Sequence, residues 1–288
     1  MLNGFININK TSGLSSNKAL SILKYHLKQN NIVTKVGHFG TLDPIAEGVL
    51  PVALGRATRL FDYSMDKEKI YDATFVFGKE TDTLDYTGEV VRDGGRMVSE
   101  EEIEDVIPSL TGNVMQIPPI YSAKSVCGVR AYKLARQGED FSLPPKRVTI
   151  NSIVLTGRAE GENSFNFRIS CGGGTYIRSI VRDMAYAMGT LGYMSKLRRI
   201  VSGPFRIENS YKVDELGTVS DKILPVNVFT DKFFRYDLSL REYSTVRNGV
   251  PTYIDCSCED YIAVYFNEEI IGIGEITDKK LKIKTWLL

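Results

Sequence analysis

The chain has 288 residues, 43% of them hydrophobic and 25% charged, with 25 Gly and 10 Pro. This ordinary globular composition excludes collagen-like, disordered and low-complexity chains, and the length suits about two domains with a sizeable core. Lys and Arg number 36 against 35 Asp and Glu, a net charge of +1, so a polyanionic partner would have to meet a local basic patch, not a global field.

No apolar run approaches the ~18 residues of a membrane span. The opening Met1-Leu2-Asn3-Gly4 lacks the basic-then-apolar layout of a signal peptide, so a soluble cytoplasmic protein with no membrane partner is expected. Among Cys127, Cys171, Cys256 and Cys258 the last two form a Cys-x-Cys pair, but with no second pair and no nearby His it makes a poor zinc site. Reduced, partly buried thiols and no metal are expected.

In chain order, residues 15–29 place Ala19, Ile22, Leu23 and Leu27 at helical spacing behind a Ser15 or Ser16 N-cap. Residues 70–77 alternate instead, with Tyr71, Ala73, Phe75 and Phe77 on one face, which predicts a half-buried strand. Ser99-Glu100-Glu101-Glu102 is a capping box ahead of a short surface helix whose final turn Pro108 is expected to disturb. Residues 165–171 alternate, meet Gly172-Gly173-Gly174, and give way to Ile177, Ile180, Val181, Met184 and Met188 at helical spacing, predicting strand, glycine turn and helix. From about Lys232 the texture changes to short β-like runs, among them 261–266 and 270–276 with Gly272 and Gly274. Two domains, 1–230 and 231–288, are expected, joined near 225–232.

The most unusual segment is Gly37-His38-Phe39-Gly40-Thr41-Leu42-Asp43-Pro44-Ile45-Ala46-Glu47-Gly48-Val49-Leu50-Pro51. Pro44 biases Asp43 toward an extended backbone, which holds its carboxylate at a fixed angle. From the residues alone, a turn-capping Asp43 and a structural His38 stay open beside a catalytic reading. By the same standard Tyr71 reads as core, Arg178 as an exposed helix arginine, and Lys196, Arg198, Arg199, Lys146 and Arg147 equally as a solvated face or as phosphate contacts.

That segment resembles the catalytic loop of the TruB family, the tRNA pseudouridine-55 synthases, with Phe39 standing where a small polar residue is usual and Glu47 where Thr or Ser is usual. Further blocks resemble the family in the same order: residues 9–16, with Thr11 for the usual Pro; 69–73 followed by 77–83 and 88–90; 116–123 followed by 132–138; 171–179, with Gly173 where Lys is common; and 197–205. The matches span roughly residues 4–205, and the C-terminal segment resembles a PUA-type RNA-binding domain.

The resemblance implies an α+β fold: a catalytic domain around a central mixed, largely antiparallel sheet, plus a small all-β PUA-like domain. It implies isomerisation of uridine 55 in the TΨC arm of tRNA by a monomer working without guide RNA or cofactor. Asp43, Tyr71 and Arg178 are then the expected catalytic residues, Asp43 as nucleophile or as stabiliser of an oxocarbenium-like centre. Arg178 is expected to pair with both Asp43 oxygens through its fork. His38, Leu197, Lys10 and Tyr176 are expected at the substrate, with His38 filling or stacking on the space left by a flipped base. Two rivals are a guide-RNA-dependent pseudouridine synthase and a non-catalytic tRNA chaperone. A carbohydrate hydrolase using Asp43 is disfavoured, because Glu47 is the sole carboxylate nearby.

Overall fold

The computed structural model describes residues 2–64, 68–122, 124–126, 128–139, 141–255 and 261–288. The expectations for Cys127, Cys256 and Cys258 fall outside these residues. Cys171 is a free, fully buried thiol, and burial pushes its pKa up to about 11.

One large sheet carries most of the chain. Strands β1 (Gly4–Lys10), β2 (Val36–His38), β3 (Glu47–Leu54), β4 (Lys69–Phe77), β5 (Gly112–Gln116), β6 (Lys146–Arg158), β7 (Ser164–Cys171), β8 (Gly192–Ser202) and β9 (Tyr211–Lys212) contribute to it. Their order is β9-β1-β3-β8-β4-β7-β6-β5, with β2 and the short Phe205–Arg206 strand pairing off this path. The β9–β1 and β3–β8 contacts are parallel and the other neighbours antiparallel, so the sheet is mixed and largely antiparallel, as expected.

Register decides what the sheet can present, because directly opposed residues share a face. Lys10 opposes Gly48, Gly48 opposes Arg199, Arg199 opposes Tyr71, and Tyr71 opposes Ile169. Five adjacent strands thus line up one row, in which Lys10, Arg199 and Tyr71 are the chemistry-bearing side chains. Gly48, at φ +99°, is the spacer: a Cβ there would collide with the Arg199 carbonyl oxygen.

Helix α1 (Ser16–Gln29) starts where expected, its Ser15 hydroxyl accepting the Lys18 N–H, and buries Ala19, Leu20, Leu23 and Leu27. Helix α2 (Glu100–Leu110) has both arms of the capping box and runs through Pro108 without a break. The proline falls in the last turn, where the Ser109 hydroxyl donates to the Val106 carbonyl and the Thr111 hydroxyl to the Pro108 carbonyl, so side chains serve carbonyls that the helix end leaves open. Helix α3 (Ile177–Ala187) buries Ile177, Ile180, Val181 and Met184 against the sheet. With α1 and α3 over it, this face holds the main core, including Tyr71, Ala73, Phe75 and Phe77.

The C-terminal sheet is five-stranded: β10 (Phe234–Asp237), β11 (Thr252–Tyr253), β12 (Tyr261–Phe266), β13 (Glu269–Thr277) and β14 (Lys280–Trp286), in the order β10-β12-β13-β14-β11. It carries one helix the sequence reading did not single out, α4 (Leu240–Arg247), opened by a Ser239–Glu242 capping box. The segment near 225–232 is packed, with Val226 and Phe229 buried. They join Phe5 and Phe205 from the large sheet, Phe39 from the loop after β2, Ile273 from the C-terminal sheet and Leu287 just beyond it in a second core. Among the described residues, no helix is long and apolar enough to cross a membrane.

Candidate active site

The loop between β2 and β3 carries Asp43, and its main chain is tied down on both sides of that residue. The Ser16 hydroxyl donates to the Leu42 carbonyl at 2.9 Å and accepts the Leu42 N–H at 3.0 Å. On the other side the Pro44 carbonyl accepts from the Gly13 N–H at 2.9 Å and from Lys10 Nζ at 3.2 Å. Lys10 also donates to the Thr11 and Leu14 carbonyls, so all three ammonium hydrogens are used. Burial pulls its pKa down to about 8, opposed by the charges of Asp43 and Glu47. The expected substrate contact Lys10 therefore lies fully buried beneath the loop.

Asp43 is paired with Arg178, whose Nε donates to Asp43 Oδ2 at 2.9 Å. The side chain of Arg178 is 5% exposed and that of Asp43 37%, so the carboxylate keeps an open face while its counterion does not. The pairing is single and not the expected two-oxygen fork, because the terminal guanidinium nitrogens are committed elsewhere: Nη1 donates to the Thr83 carbonyl at 2.9 Å and Nη2 to the Tyr121 carbonyl at 3.0 Å. Asp85 stands on the far side, its Oδ2 3.8 Å from Arg178 Nη1. Its other oxygen accepts from the Thr83 hydroxyl and from the Thr87 N–H and hydroxyl. A cation in the first turn of a helix meets an unfavourable dipole, and two carboxylates with two carbonyls offset that penalty.

Tyr71 is buried in the register row between Arg199 and Ile169. Burial raises its pKa most, the charge of Asp43 adds to that, and the charge of Arg199, opposite it in the register, pulls the other way. Arg199 is 1% exposed; its Nε donates to the Val49 carbonyl at 2.7 Å and its Nη2 to the Gly40 carbonyl at 3.0 Å, one at each end of the loop. Tyr176 precedes α3 and is fixed by Gln116, which donates to its carbonyl and accepts its N–H. Burial chiefly raises its phenol pKa, and the Asp43 charge contributes. His38 closes β2, half-buried, its pKa lowered by burial and by the Arg199 charge. Leu197 is buried two residues before Arg199.

Arg178, Tyr71, Tyr176 and Lys10 thus each sit within electrostatic reach of Asp43, and Arg199 acts on Lys10, Tyr71 and His38. Two participants were not anticipated. Arg199 was read as a solvated face or a phosphate contact, yet Leu197, Arg199 and Val201 are all buried on alternate positions of β8, a period-two pattern that marks an inward residue. Asp85 left no such signal, since its burial arises from tertiary packing. Glu47, a departure from the family pattern, is offset by Arg198 at 3.6 Å on the surface. Phe39, the other departure, packs edge-on against Phe5, Phe61 and Phe229 at centroid distances of 5.2, 5.7 and 5.5 Å.

This mixed sheet with its C-terminal companion is the fold of pseudouridine synthases. Similar solved structures are an H/ACA ribonucleoprotein bound to a substrate RNA containing 2'-deoxyuridine, with a TM-score of 0.72 and 21% identity over 99% of this chain and 85% of that one, and a Cbf5-Nop10-Gar1 complex with a TM-score of 0.72 and 22% identity over the same shares. The family model for the N-terminal domain of TruB family pseudouridylate synthases matches residues 26–177. The tRNA pseudouridine synthase B of Anaplasma marginale is 40% identical over 85% of this chain and 81% of its own, and that of Caldanaerobacter subterraneus subsp. tengcongensis is 35% identical over 98% of each. The tRNA pseudouridine synthase B of Zymomonas mobilis is 34% identical over 98% of this chain and 95% of its own. The chain belongs to the TruB family and is an isomerase of the tRNA pseudouridine synthase type.

Proposed function

We propose that this enzyme converts uridine 55 of the TΨC arm of tRNA to pseudouridine as a stand-alone cytoplasmic monomer, needing neither guide RNA nor cofactor. The observation that carries the reading is the half-open Asp43 carboxylate held by a buried Arg178 in a loop fixed on both flanks. The reaction breaks the N1–C1′ bond, turns the base, forms the C5–C1′ bond, and moves a proton from C5 to N1, so atoms balance without a redox partner.

The target nucleotide leaves the stack to reach this site, and contacts to base and backbone offset an unstacking cost of a few kcal/mol. Asp43 acts on C1′ or the base as a nucleophile, or stabilises positive charge at C1′; both routes use its carboxylate, which Arg178 holds in place. Tyr71 stacks on the uracil and takes part in removing the C5 proton. Tyr176 and Leu197 line the base, and His38 occupies space near the extruded nucleotide. Lys10 acts through the loop it holds and not on RNA. Residues 1–230 form the catalytic domain, with 231–288 as a PUA-like domain adding backbone contacts, so affinity falls with salt.

The test uses an unmodified tRNA transcript tritiated at C5 of uridine. Tritium release at a single T-arm uridine, absent in Asp43→Asn, supports the reading. Salt-sensitive binding without release from the isolated chain overturns it in favour of a guide-dependent enzyme or a chaperone.

A further inference from the structure

Arg199 is the largest of the fully buried side chains, and it belongs to no motif assigned a role above. Its neutral partners are the Gly40 and Val49 carbonyls, and among the described residues no carboxylate forms an ion pair with it. A buried cation without an anion is costly, and it stabilises any negative charge that develops beside it. The group beside it is Tyr71, which it opposes directly in the β8–β4 register, so the two buried side chains share one face and the guanidinium charge acts on the phenol.

We propose that Arg199 is a positioning residue for proton transfer: anchored at both ends of the Asp43 loop, it holds the Tyr71 oxygen in place and stabilises the phenolate that takes the C5 proton. This rests on the reading of Tyr71 as a participant in C5 proton removal. In that step the phenolate oxygen binds the C5 proton, the C–H electron pair restores the C5–C6 double bond, the C6–N1 π pair moves onto N1, which takes a proton from water, and the Tyr71 phenol gives its proton back to water before the next turnover. The interior arrangement suits the task. Burial alone disfavours phenolate, the nearby Asp43 disfavours it further, and the guanidinium is the one group in the row that favours it. Because the same guanidinium grips Gly40 and Val49, the distance between Tyr71 and the loop bearing Asp43 is set by one rigid plane.

The experiment measures single-turnover tritium release and pH dependence for the wild type, Arg199→Lys, Arg199→Gln, Tyr71→Phe and Arg199→Lys/Tyr71→Phe, each first checked for a cooperative melt. Lys keeps the charge and loses the fork; Gln keeps a donor and loses the charge, so either variant serves if the other does not fold. Arg199→Gln is expected to slow release about a hundredfold, in the range of general acid–base effects, with tRNA affinity within about threefold, and to move the Tyr71-dependent limb of the rate profile to higher pH. The double variant is expected to be no slower than Tyr71→Phe alone, since both act through one oxygen. Additive losses with an unmoved pH limb would make Arg199 a purely structural residue and overturn the proposal. Wild-type rates in Tyr71→Phe would instead remove the reading of Tyr71 itself, an outcome distinct from an impaired Tyr71→Phe beside an unimpaired Arg199 variant.

Discussion

Arg178 and Asp43, 135 residues apart in the chain, meet at 2.9 Å through Nε and Oδ2, and of the two it is Asp43 that keeps its face to solvent. Replacing Asp43 by Asn preserves the shape of that contact and removes its charge. Turnover in Asp43→Asn is expected to fall to background while tRNA affinity stays near that of the wild type, as read by tritium release and filter binding. Retained turnover would leave Asp43 a loop anchor.

Arg178→Lys strips the Thr83 and Tyr121 carbonyls of their shared donor inside the protein. Hydrogen bonds from a charged donor are worth roughly 1.5–3 kcal/mol each, so a measurable fall in melting temperature should accompany a large loss of kcat. A variant that melts normally and turns over at the wild-type rate would show that a lysine ammonium replaces the whole Arg178 network.

Asp85→Asn tests the far side of the same cation. The amide can still accept from Thr87, but Arg178 loses its second negative neighbour, 3.8 Å away, and is drawn more tightly to Asp43. The expected result is lower kcat with little change in KM. Equal loss in both parameters would point to general disruption of residues 82–89 instead.

Phe39→Ser would introduce a residue of the kind usual in the family. Here it would empty an aromatic site shared with Phe5, Phe61 and Phe229, at a cost of roughly 3 kcal/mol or more for an unrelaxed cavity. Chemical denaturation should show that loss, and the folded fraction should remain active, because the ring packs in the second core against Phe5, Phe61 and Phe229.

Two pH effects carry opposite functional weight. Burial and Arg199 lower the pKa of His38, so the folded protein resists a proton that the unfolded chain accepts near pH 6.5. Stability from His38 is present above that pH and is lost as pH falls, while activity near neutrality should show no histidine limb; His38→Gln should leave the rate profile's shape unchanged. Lys10, pulled down to about 8, makes the unfolded state the better proton binder between about pH 8 and the ordinary lysine value. Its contribution to stability therefore rises with pH across that window, and urea titrations of the wild type against Lys10→Met should show the difference.

Much of the architecture was legible in local pattern. The α1 stripe, the β4 alternation and the α2 capping box each declare themselves within a dozen residues, and Gly172 to Gly174 marks the turn into α3. What local pattern cannot show is where a charge ends up when strands from distant parts of the chain align. Arg178 looked exposed on a helical wheel because its partners, Asp43, Thr83, Asp85 and Tyr121, arrive from three other segments. Lys10 looked available to RNA because the carbonyls that consume its hydrogens belong to turns formed after folding. Arg199 was hidden by its neighbours Lys196 and Arg198, whose exposure made a basic cluster of what is in fact an alternating strand.

The line from Lys10 through Gly48 and Arg199 to Tyr71 makes this centre a product of alignment as much as of composition. Slipping one strand by a single residue would send its member of the line to the opposite side of the sheet, while every side chain named here remained in the gene. A one-residue insertion within β8 is therefore as lethal to chemistry as losing a reactive group, whereas an insertion in a surface turn is absorbed.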